Sequence, residues 1–225
     1  MVPHGLRLFS ICSRLARTPT TKGSGRRAHS RRLDMQHAFD FQSPPLNWDR
    51  LFFCVMPDDT AGGRVMRLGD HLFLQHRLDG SRLRRDRLHM SLHHVGDYPR
   101  LPSKAVYAAR LAARAVMLAP FDIWLRAVHS FEPAPHKQNR RPLVLLGDGG
   151  EALMMLFRTL GAAMLRNGLK AAAAFTPHMT LSYGPQPVPT QPIEPIRFQA
   201  KDFVLIRSRL GLTQYEVIDR WPLVT

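Results

Sequence analysis

Two short segments of the sequence each place a hydroxyl residue two positions after a histidine. The first pairs His89 with Ser91 and the second pairs His178 with Thr180, with a methionine inside and a leucine after each pair. Imidazole can take up or release a proton near neutral pH because its unperturbed pKa is about 6.5. A neighbouring hydroxyl can donate a hydrogen bond to an anion. The pattern therefore predicts general acid and base chemistry beside a bound anion.

Both segments lie in strand-like sequence, where alternate side chains point to opposite faces. Each histidine then shares a face with its hydroxyl, and the methionine and leucine are buried. If the two halves of the chain pack about a pseudo-twofold axis, the pairs face each other across a cleft. One neutral imidazole could take a proton from an attacking hydroxyl or water, and the other could protonate a leaving oxygen. This is a phosphodiester site in outline.

The elements that must position these segments alternate between strands and helices from Asp49 onward. Apolar periodicity and turn residues predict strands at about 51–56, 87–95, 121–131, 142–146, 176–183, 196–208 and 215–221. Three amphipathic helices are predicted from about 60 to 77, from Ser103 to before Pro120, and from the end of a turn at 147–150 to Asn167. The third and fourth predicted strands form a hairpin, and the proline-rich span 185–195 is predicted to be a connector.

Composition excludes several classes of protein. With 44% hydrophobic and 22% charged residues, the chain has enough apolar material for a core. No run of roughly 20 apolar residues is present, so no membrane-spanning helix is expected. Cys12 and Cys54 could form one bridge at most, and neither lies in a cluster with metal-ligand spacing, which excludes a disulfide scaffold and a structural zinc site.

The charge is concentrated at the N-terminus. The net charge is +15, and eight of the 32 Lys and Arg residues precede Asp34, the first acid. The remainder is still basic, which favours a polyanionic or phosphorylated partner. Residues 1–45 are predicted to be a disordered basic extension and 46–225 the folded domain. The extension could be a nucleic-acid-binding arm, an organelle-targeting segment, or residues ahead of a true start at Met35. It has no secretory apolar segment, so an intracellular, cytoplasmic protein is expected.

Taken together, the two motifs and their flanks resemble the 2H phosphoesterase superfamily. The resemblance covers about Asp49 to Leu223. Within the superfamily the chain is most similar to the bacterial RNA 2',3'-cyclic phosphodiesterases, also called the 2'-5' RNA ligase family. It is carried by the following segments: Arg50-Leu51-Phe52-Phe53, His89-Met90-Ser91-Leu92, Phe175-Thr176-Pro177-His178-Met179-Thr180-Leu181, and the closing Phe203-Val204-Leu205-Ile206 with Ser208, Tyr215 and Trp221-Pro222-Leu223.

The resemblance implies an α+β, bilobal fold with two antiparallel sheets around a central cleft and helices outside. It also implies hydrolysis of a 2',3'-cyclic phosphate, at RNA ends or on nucleotides, to a 2'-phosphomonoester. By the same resemblance His89 is the proton donor and His178 the proton acceptor, while Ser91 and Thr180 bind phosphate. No metal and no other cofactor is implied, and a monomer is expected.

Two aromatic residues are candidates for stacking on a base. Phe52 occupies a place where the family tends to present an aromatic side chain to the cleft, with core packing as the alternative. Tyr183 stands where bacterial members often have Arg, so it cannot supply a guanidinium but could stack or donate its phenol. His93 shares the strand parity of His89 and is therefore the better of His93 and His94 as an accessory group.

Two other functions stay open at this point. The same two histidines could serve a 2'-5' phosphodiesterase or 2'-5' RNA ligase by reversing the proton transfers. A catalytically weak RNA- or nucleotide-binding module could keep the cleft and its basic surface without turnover.

Overall fold

The computed structural model describes residues 47–135, 137, 139–212 and 214–224, so the predicted disordered extension 1–45 lies outside the described residues. The described strands are β1 Asp49–Val55, β2 Ser81–Arg82, β3 Met90–Tyr98, β4 Phe121–Ser130, β5 Arg141–Asp148, β6 His178–Gly184, β7 Gln191–Ala200, β8 Asp202–Arg209 and β9 Gln214–Pro222. The helices are α1 Asp59–Gln75, α2 Ser103–Arg114 and α3 Gly150–Arg166, and a single 3-10 turn spans Arg85–Arg87.

The strands form two antiparallel sheets. The first has the order β3-β1-β8-β9 and the second the order β2-β6-β5-β4-β7. The predicted α+β fold with two antiparallel sheets is confirmed, and so is the hairpin of β4 and β5. The two motif strands, β3 and β6, belong to different sheets and contact each other. The first sheet draws its strands from both ends of the chain, so the sheets do not correspond to an N-terminal and a C-terminal half.

One continuous core lies on the helix-facing sides of both sheets. Phe53, Phe203 and Trp221 pack together in the first sheet, with ring centroids about 6 Å apart. Helix α2 buries only alanines, which lets it pack closely against α3. A second, smaller apolar cluster covers the opposite face of the first sheet and consists of Phe52, Cys54, Val204 and Ile206. That opposite face is the one from which His89 and Ser91 project.

Helix α1 begins where the sequence supplies a cap. The Asp58 side chain accepts a hydrogen bond from the Ala61 backbone amide at 2.8 Å, which satisfies one of the unpaired amides of the first turn. Helix α3 ends at Arg166 and is followed by Asn167 and Gly168, and Gly168 has a φ of 73°. Glycine tolerates this left-handed conformation without a steric penalty. In the described residues no helix is long and apolar enough to cross a membrane.

The predicted strand 196–208 is wrong, because it is two strands in two sheets. β7 ends at Ala200 in the second sheet, Lys201 is the crossing residue, and β8 begins at Asp202 in the first sheet. The predicted connector 185–195 is also partly wrong, since β7 starts at Gln191 and includes two prolines. Proline cannot donate to a neighbouring strand, but β7 is an edge strand, where that loss is tolerated.

Candidate functional site

The two motif histidines stand at equivalent points of the two sheets. His178 is the first residue of β6, and His89 directly precedes β3. Both side chains are partly buried. They lie close enough that the charge of His178 contributes to the lowered pKa of His89. The fold therefore brings together two imidazoles that are far apart in sequence.

Each imidazole is oriented in the same way by its own backbone. His89 Nδ1 lies 2.7 Å from the carbonyl oxygen of Arg87, and His178 Nδ1 lies 2.7 Å from that of Thr176. A carbonyl oxygen can only accept a hydrogen bond, so Nδ1 is the protonated nitrogen in both rings. This leaves Nε2 of each ring to exchange a proton. A neutral ring is then a base at Nε2, and a charged ring is an acid at the same atom.

Burial disfavours the charged form of both rings. It lowers the pKa of His89 to about 4, and the nearby charges of His178 and Arg87 act in the same direction. Burial also lowers the pKa of His178 from its ordinary value. An anion placed between the rings would oppose these effects because it stabilises an imidazolium. A bound anion would therefore raise the pKa of both imidazoles.

The two hydroxyl residues follow the predicted alternation. Ser91 is partly exposed, and its neighbours Met90 and Leu92 are 0% and 1% exposed. Thr180 is likewise partly exposed, next to a buried methionine and leucine. Ser91 pairs with Cys54 of β1, on the face that carries the smaller apolar cluster. Each hydroxyl residue therefore lies two positions after its histidine, on the same face of its sheet.

A β-bulge follows the hydroxyl in both motif strands. On β3 the register passes from Ser91 to His93 while β1 advances by one residue, and Leu92 is the extra residue. On β6 it passes from Thr180 to Ser182 while β5 advances by one, and Leu181 is the extra residue. One additional residue reverses which face the following side chains occupy.

The bulge on β3 makes the prediction for His93 wrong. His93 is 0% exposed and stacks on Phe157 of α3 at 4.2 Å between ring centroids. Its Nε2 lies 2.8 Å from the Phe157 carbonyl oxygen, and its Nδ1 accepts a hydrogen bond from the Ala172 amide. His93 therefore belongs to the core, where it ties α3 to the segment that leads into His178. His94 instead pairs with Phe52 and contacts Asp97 at 3.0 Å.

The bulge on β6 turns Tyr183 to the side of Thr180. Ser182 is buried at 3% exposure, whereas Tyr183 is partly exposed. The Arg140 guanidinium lies 5.2 Å from the Tyr183 ring centroid. Tyr183 therefore lies on the face of the second sheet that carries Thr180, and its stacking on a base stays a prediction.

Phe52 is a buried aromatic residue that packs against His89. Its side chain is 3% exposed, and its ring centroid lies 5.1 Å from that of His89. So little exposed surface favours packing against the imidazole over stacking on a base. Tyr215 completes this wall, with its ring 5.6 Å from His89 and 5.8 Å from Phe52. In the sequence Tyr215 contributes only to the family resemblance, and no role was predicted for it.

Phe131 holds a similar place beside His178 and was not predicted. Its ring meets His178 edge to face at 5.0 Å and His129 at 5.4 Å. His129 Nδ1 in turn lies 2.9 Å from the Thr190 hydroxyl oxygen. The sequence predicts Phe131 as the last residue of the strand 121–131, whereas β4 ends at Ser130. That strand pattern carries no signal of a contact with the motif.

The site contains the groups that acid and base catalysis needs. The residues described include no metal-binding cluster. No three side chains of His, Cys, Asp or Glu in that part of the chain come together as a group that could hold a metal ion. The two imidazoles themselves are held by carbonyls and flanked by aromatic rings. Their Nε2 atoms can transfer protons on either side of a phosphorus centre, with the Ser91 and Thr180 hydroxyls as hydrogen-bond donors to its oxygens.

Comparisons with known proteins agree with this architecture. The family model described as 2'-5' RNA ligase superfamily matches residues 57–212. The structure of E. coli LigT in its apo form covers 79% of this chain and 99% of its own, at 20% identity and a TM-score of 0.63. TT0787 of Thermus thermophilus covers 77% of this chain and 97% of its own, at 22% identity and a TM-score of 0.61.

Two further E. coli LigT structures contain nucleotides. The complexes with ATP and with 3'-AMP match at 19% and 20% identity, each with a TM-score of 0.62 and each covering 79% of this chain and 99% of LigT. No curated protein matches the chain. At these identities the solved structures establish the shared fold.

Proposed function

The chain belongs to the 2'-5' RNA ligase superfamily of 2H phosphoesterases, which makes it a phosphoesterase, and from this premise we propose that it hydrolyses 2',3'-cyclic phosphates. The proposed substrates are RNA ends or nucleotides, and the product is a 2'-phosphomonoester. The observation that carries the proposal is the matched pair of imidazoles, each with Nδ1 fixed by a backbone carbonyl and Nε2 left for proton transfer.

The proposed reaction needs one proton acceptor and one proton donor. His178 Nε2 takes a proton from a water molecule, whose oxygen forms a bond to phosphorus. The bond between phosphorus and the 3'-oxygen breaks, and His89 Nε2 gives its proton to that oxygen. The Ser91 and Thr180 hydroxyls donate hydrogen bonds to the non-bridging oxygens and stabilise their charge. The products are a 2'-phosphomonoester and a 3'-hydroxyl, and exchange with solvent restores the starting protonation.

The nature of the substrate is supported by chemistry at the walls of the site. Tyr183 and the Arg140 guanidinium offer an aromatic face and a cation on the side of the second sheet. E. coli LigT, which shares the fold, is known in complexes with ATP and 3'-AMP. A nucleotide that carries its phosphate between the two histidines would have its base or ribose near these groups. A cytoplasmic location and action as a monomer are part of the same proposal.

The test compares three substrates with the purified full chain. Adenosine 2',3'-cyclic phosphate should yield 2'-AMP and no 3'-AMP, as resolved by anion-exchange chromatography. A 2'-5' dinucleotide and adenosine 3',5'-cyclic phosphate serve as the comparison substrates. Faster cleavage of the dinucleotide would favour the 2'-5' phosphodiesterase, and ligation would be sought in the reverse direction. Nucleotide binding without turnover of any substrate would favour a binding module.

Hydrolysis should survive metal chelation. Two imidazoles supply both proton transfers, so the proposed mechanism assigns no step to a metal ion. The rate measured in excess EDTA should stay within about twofold of the rate in untreated buffer. If EDTA abolishes turnover and Mg²⁺ or Mn²⁺ restores it, the two-histidine mechanism is wrong.

Removing the first 34 residues should change neither stability nor turnover of a mononucleotide. These residues show no periodic apolar pattern and precede the first family-like segment. A chain that starts at Met35 should keep the melting temperature of the full chain and its kcat/KM on adenosine 2',3'-cyclic phosphate. A large loss of either would show that the extension packs on the domain. Weaker, salt-dependent binding of long RNA alone would identify the extension as an electrostatic arm.

A further inference from the structure

Arg87 is a cation built into the wall of the site that the proposed mechanism does not use. It ends the 3-10 turn two residues before His89, and its carbonyl oxygen holds His89 Nδ1. Its guanidinium carbon lies 4.3 Å from the ring centroid of Tyr215, the aromatic residue that also contacts His89. Arg87 therefore lies next to His89, the proposed proton donor.

The charge of Arg87 is not balanced by an acid in the described part of the chain. The two neighbouring arginines contrast with it, because Arg84 binds Asp86 at 3.0 Å and Arg85 binds Asp59 at 2.8 Å. Arg87 instead stacks on the ring of Tyr215. Its Nε is buried and has no hydrogen-bond partner among the described residues.

An unbalanced and partly desolvated guanidinium favours an anion beside it. Burial of a charge costs free energy unless a partner compensates it, so a bound anion gains more from such a group than from an exposed one. Arginine donates in a planar fork that matches two oxygens of a phosphate. The Tyr215 ring beneath the guanidinium restricts its orientation before any ligand binds, which reduces the entropy lost on binding.

We propose that Arg87 binds the phosphate of the substrate and product on the His89 side of the cleft. This inference rests on the proposed function for the identity of the nucleotide, but the anion it concerns is any phosphate held between the histidines. Ser91 and Thr180 then supply neutral donors, and Arg87 supplies the positive charge. A residue in this place also stabilises the charge that builds up on the non-bridging oxygens during hydrolysis.

The experiment measures binding of 2'-AMP and of adenosine by calorimetry. Replacing Arg87 by alanine (R87A) should raise the Kd for 2'-AMP by about tenfold or more, because hydrogen bonds to charged groups are strong. The Kd for adenosine, which lacks phosphate, should change by less than about twofold. Arg84→Ala, directly before the same turn, is the matched control, and it should leave both Kd values within about twofold of the unaltered chain.

Turnover gives a second and independent readout. In R87A, kcat/KM on adenosine 2',3'-cyclic phosphate should fall by about 10²-fold, and added guanidinium ion at millimolar concentration should restore part of the loss. The same addition should not raise the rate of the unaltered chain. Arg87→Lys keeps the positive charge but loses the planar pair of donors, so its kcat/KM should lie between that of R87A and that of the unaltered chain. It also serves as the test variant if R87A has a lowered melting temperature.

Two results would overturn the assignment of Arg87. One is unchanged 2'-AMP binding in both R87A and Arg87→Lys. The other is an equal loss of adenosine and 2'-AMP binding, because a merely structural role would affect both. A chain that does not hydrolyse the cyclic nucleotide would defeat the proposed function, yet the 2'-AMP titrations would still decide the role of Arg87.

Discussion

Replacing His178 or His89 by alanine should lower kcat on a 2',3'-cyclic nucleotide by roughly 10²- to 10⁴-fold. In the proposed mechanism each ring supplies one of the two proton transfers, and the described neighbours offer no second imidazole with Nδ1 held in the same way at either place. The other histidine of the pair cannot substitute, because it is already committed to its own proton transfer. The measurement is single-substrate kinetics on adenosine 2',3'-cyclic phosphate, with the melting temperature of each variant as the check on folding.

The leaving group separates the two roles. A nitrophenyl phosphodiester leaves without needing a proton, so it removes only the task of the acid. Its hydrolysis should therefore rescue His89→Ala by at least about tenfold more than His178→Ala, relative to the cyclic nucleotide. His71→Ala is the matched control, because His71 is exposed on α1 and outside the site. Equal rescue would contradict the assignment of donor and acceptor, and near-normal turnover in either variant would contradict catalysis by the pair.

The value of kcat/KM should be highest at an acidic pH and fall above about pH 6.5. Burial lowers the pKa of His89 to about 4 and also lowers the pKa of His178. A lowered pKa means that the imidazolium loses its proton at a lower pH, so the acid form becomes scarce as the pH rises. Above both pKa values the active form, with one proton on the pair, declines about tenfold for each pH unit.

The profile of kcat should lie at higher pH than that of kcat/KM. A bound phosphodiester anion stabilises the imidazolium and raises the pKa of both histidines, and kcat reports the bound state. Rates measured from about pH 4 to 9, with circular dichroism at each pH to confirm folding, give both profiles. A kcat/KM that is constant or rises between about pH 6.5 and 8.5 would show that the buried imidazoles are not the titrating groups.

The sequence predicted the faces of the motif residues better than it predicted the residues that surround them. Strand alternation correctly predicted that Met90 and Leu92 are buried while Ser91 stays partly exposed, because that rule depends only on a regular strand. It failed at His93, which is in the core. The failure has one cause, the extra residue at Leu92, and a leucine in an apolar run carries no sign that it will be a bulge.

Long-range contacts explain the other residues that could not be predicted. Tyr215 and Phe131 reach the histidines from strands or segments of other parts of the chain, and no local pattern links them. The same limit applies to Lys201, where a continuous strand-like stretch changes sheets. Hydrophobic periodicity indicates that a segment is extended and buried, but it does not indicate which neighbour the segment pairs with.

The strand order of the first sheet also governs when the site can exist. β1 pairs with β8, so an early strand waits for a partner that lies about 150 residues later in the chain. During synthesis β1 and β3 emerge first, and one edge of β1 stays unpaired until nearly the whole chain has left the ribosome. Tyr215 follows β8 and is added last, on β9. The site can therefore be completed only after β8 and β9 have joined the first sheet, and a chain interrupted before β8 has His89 and His178 without the complete sheet that supports the first of them.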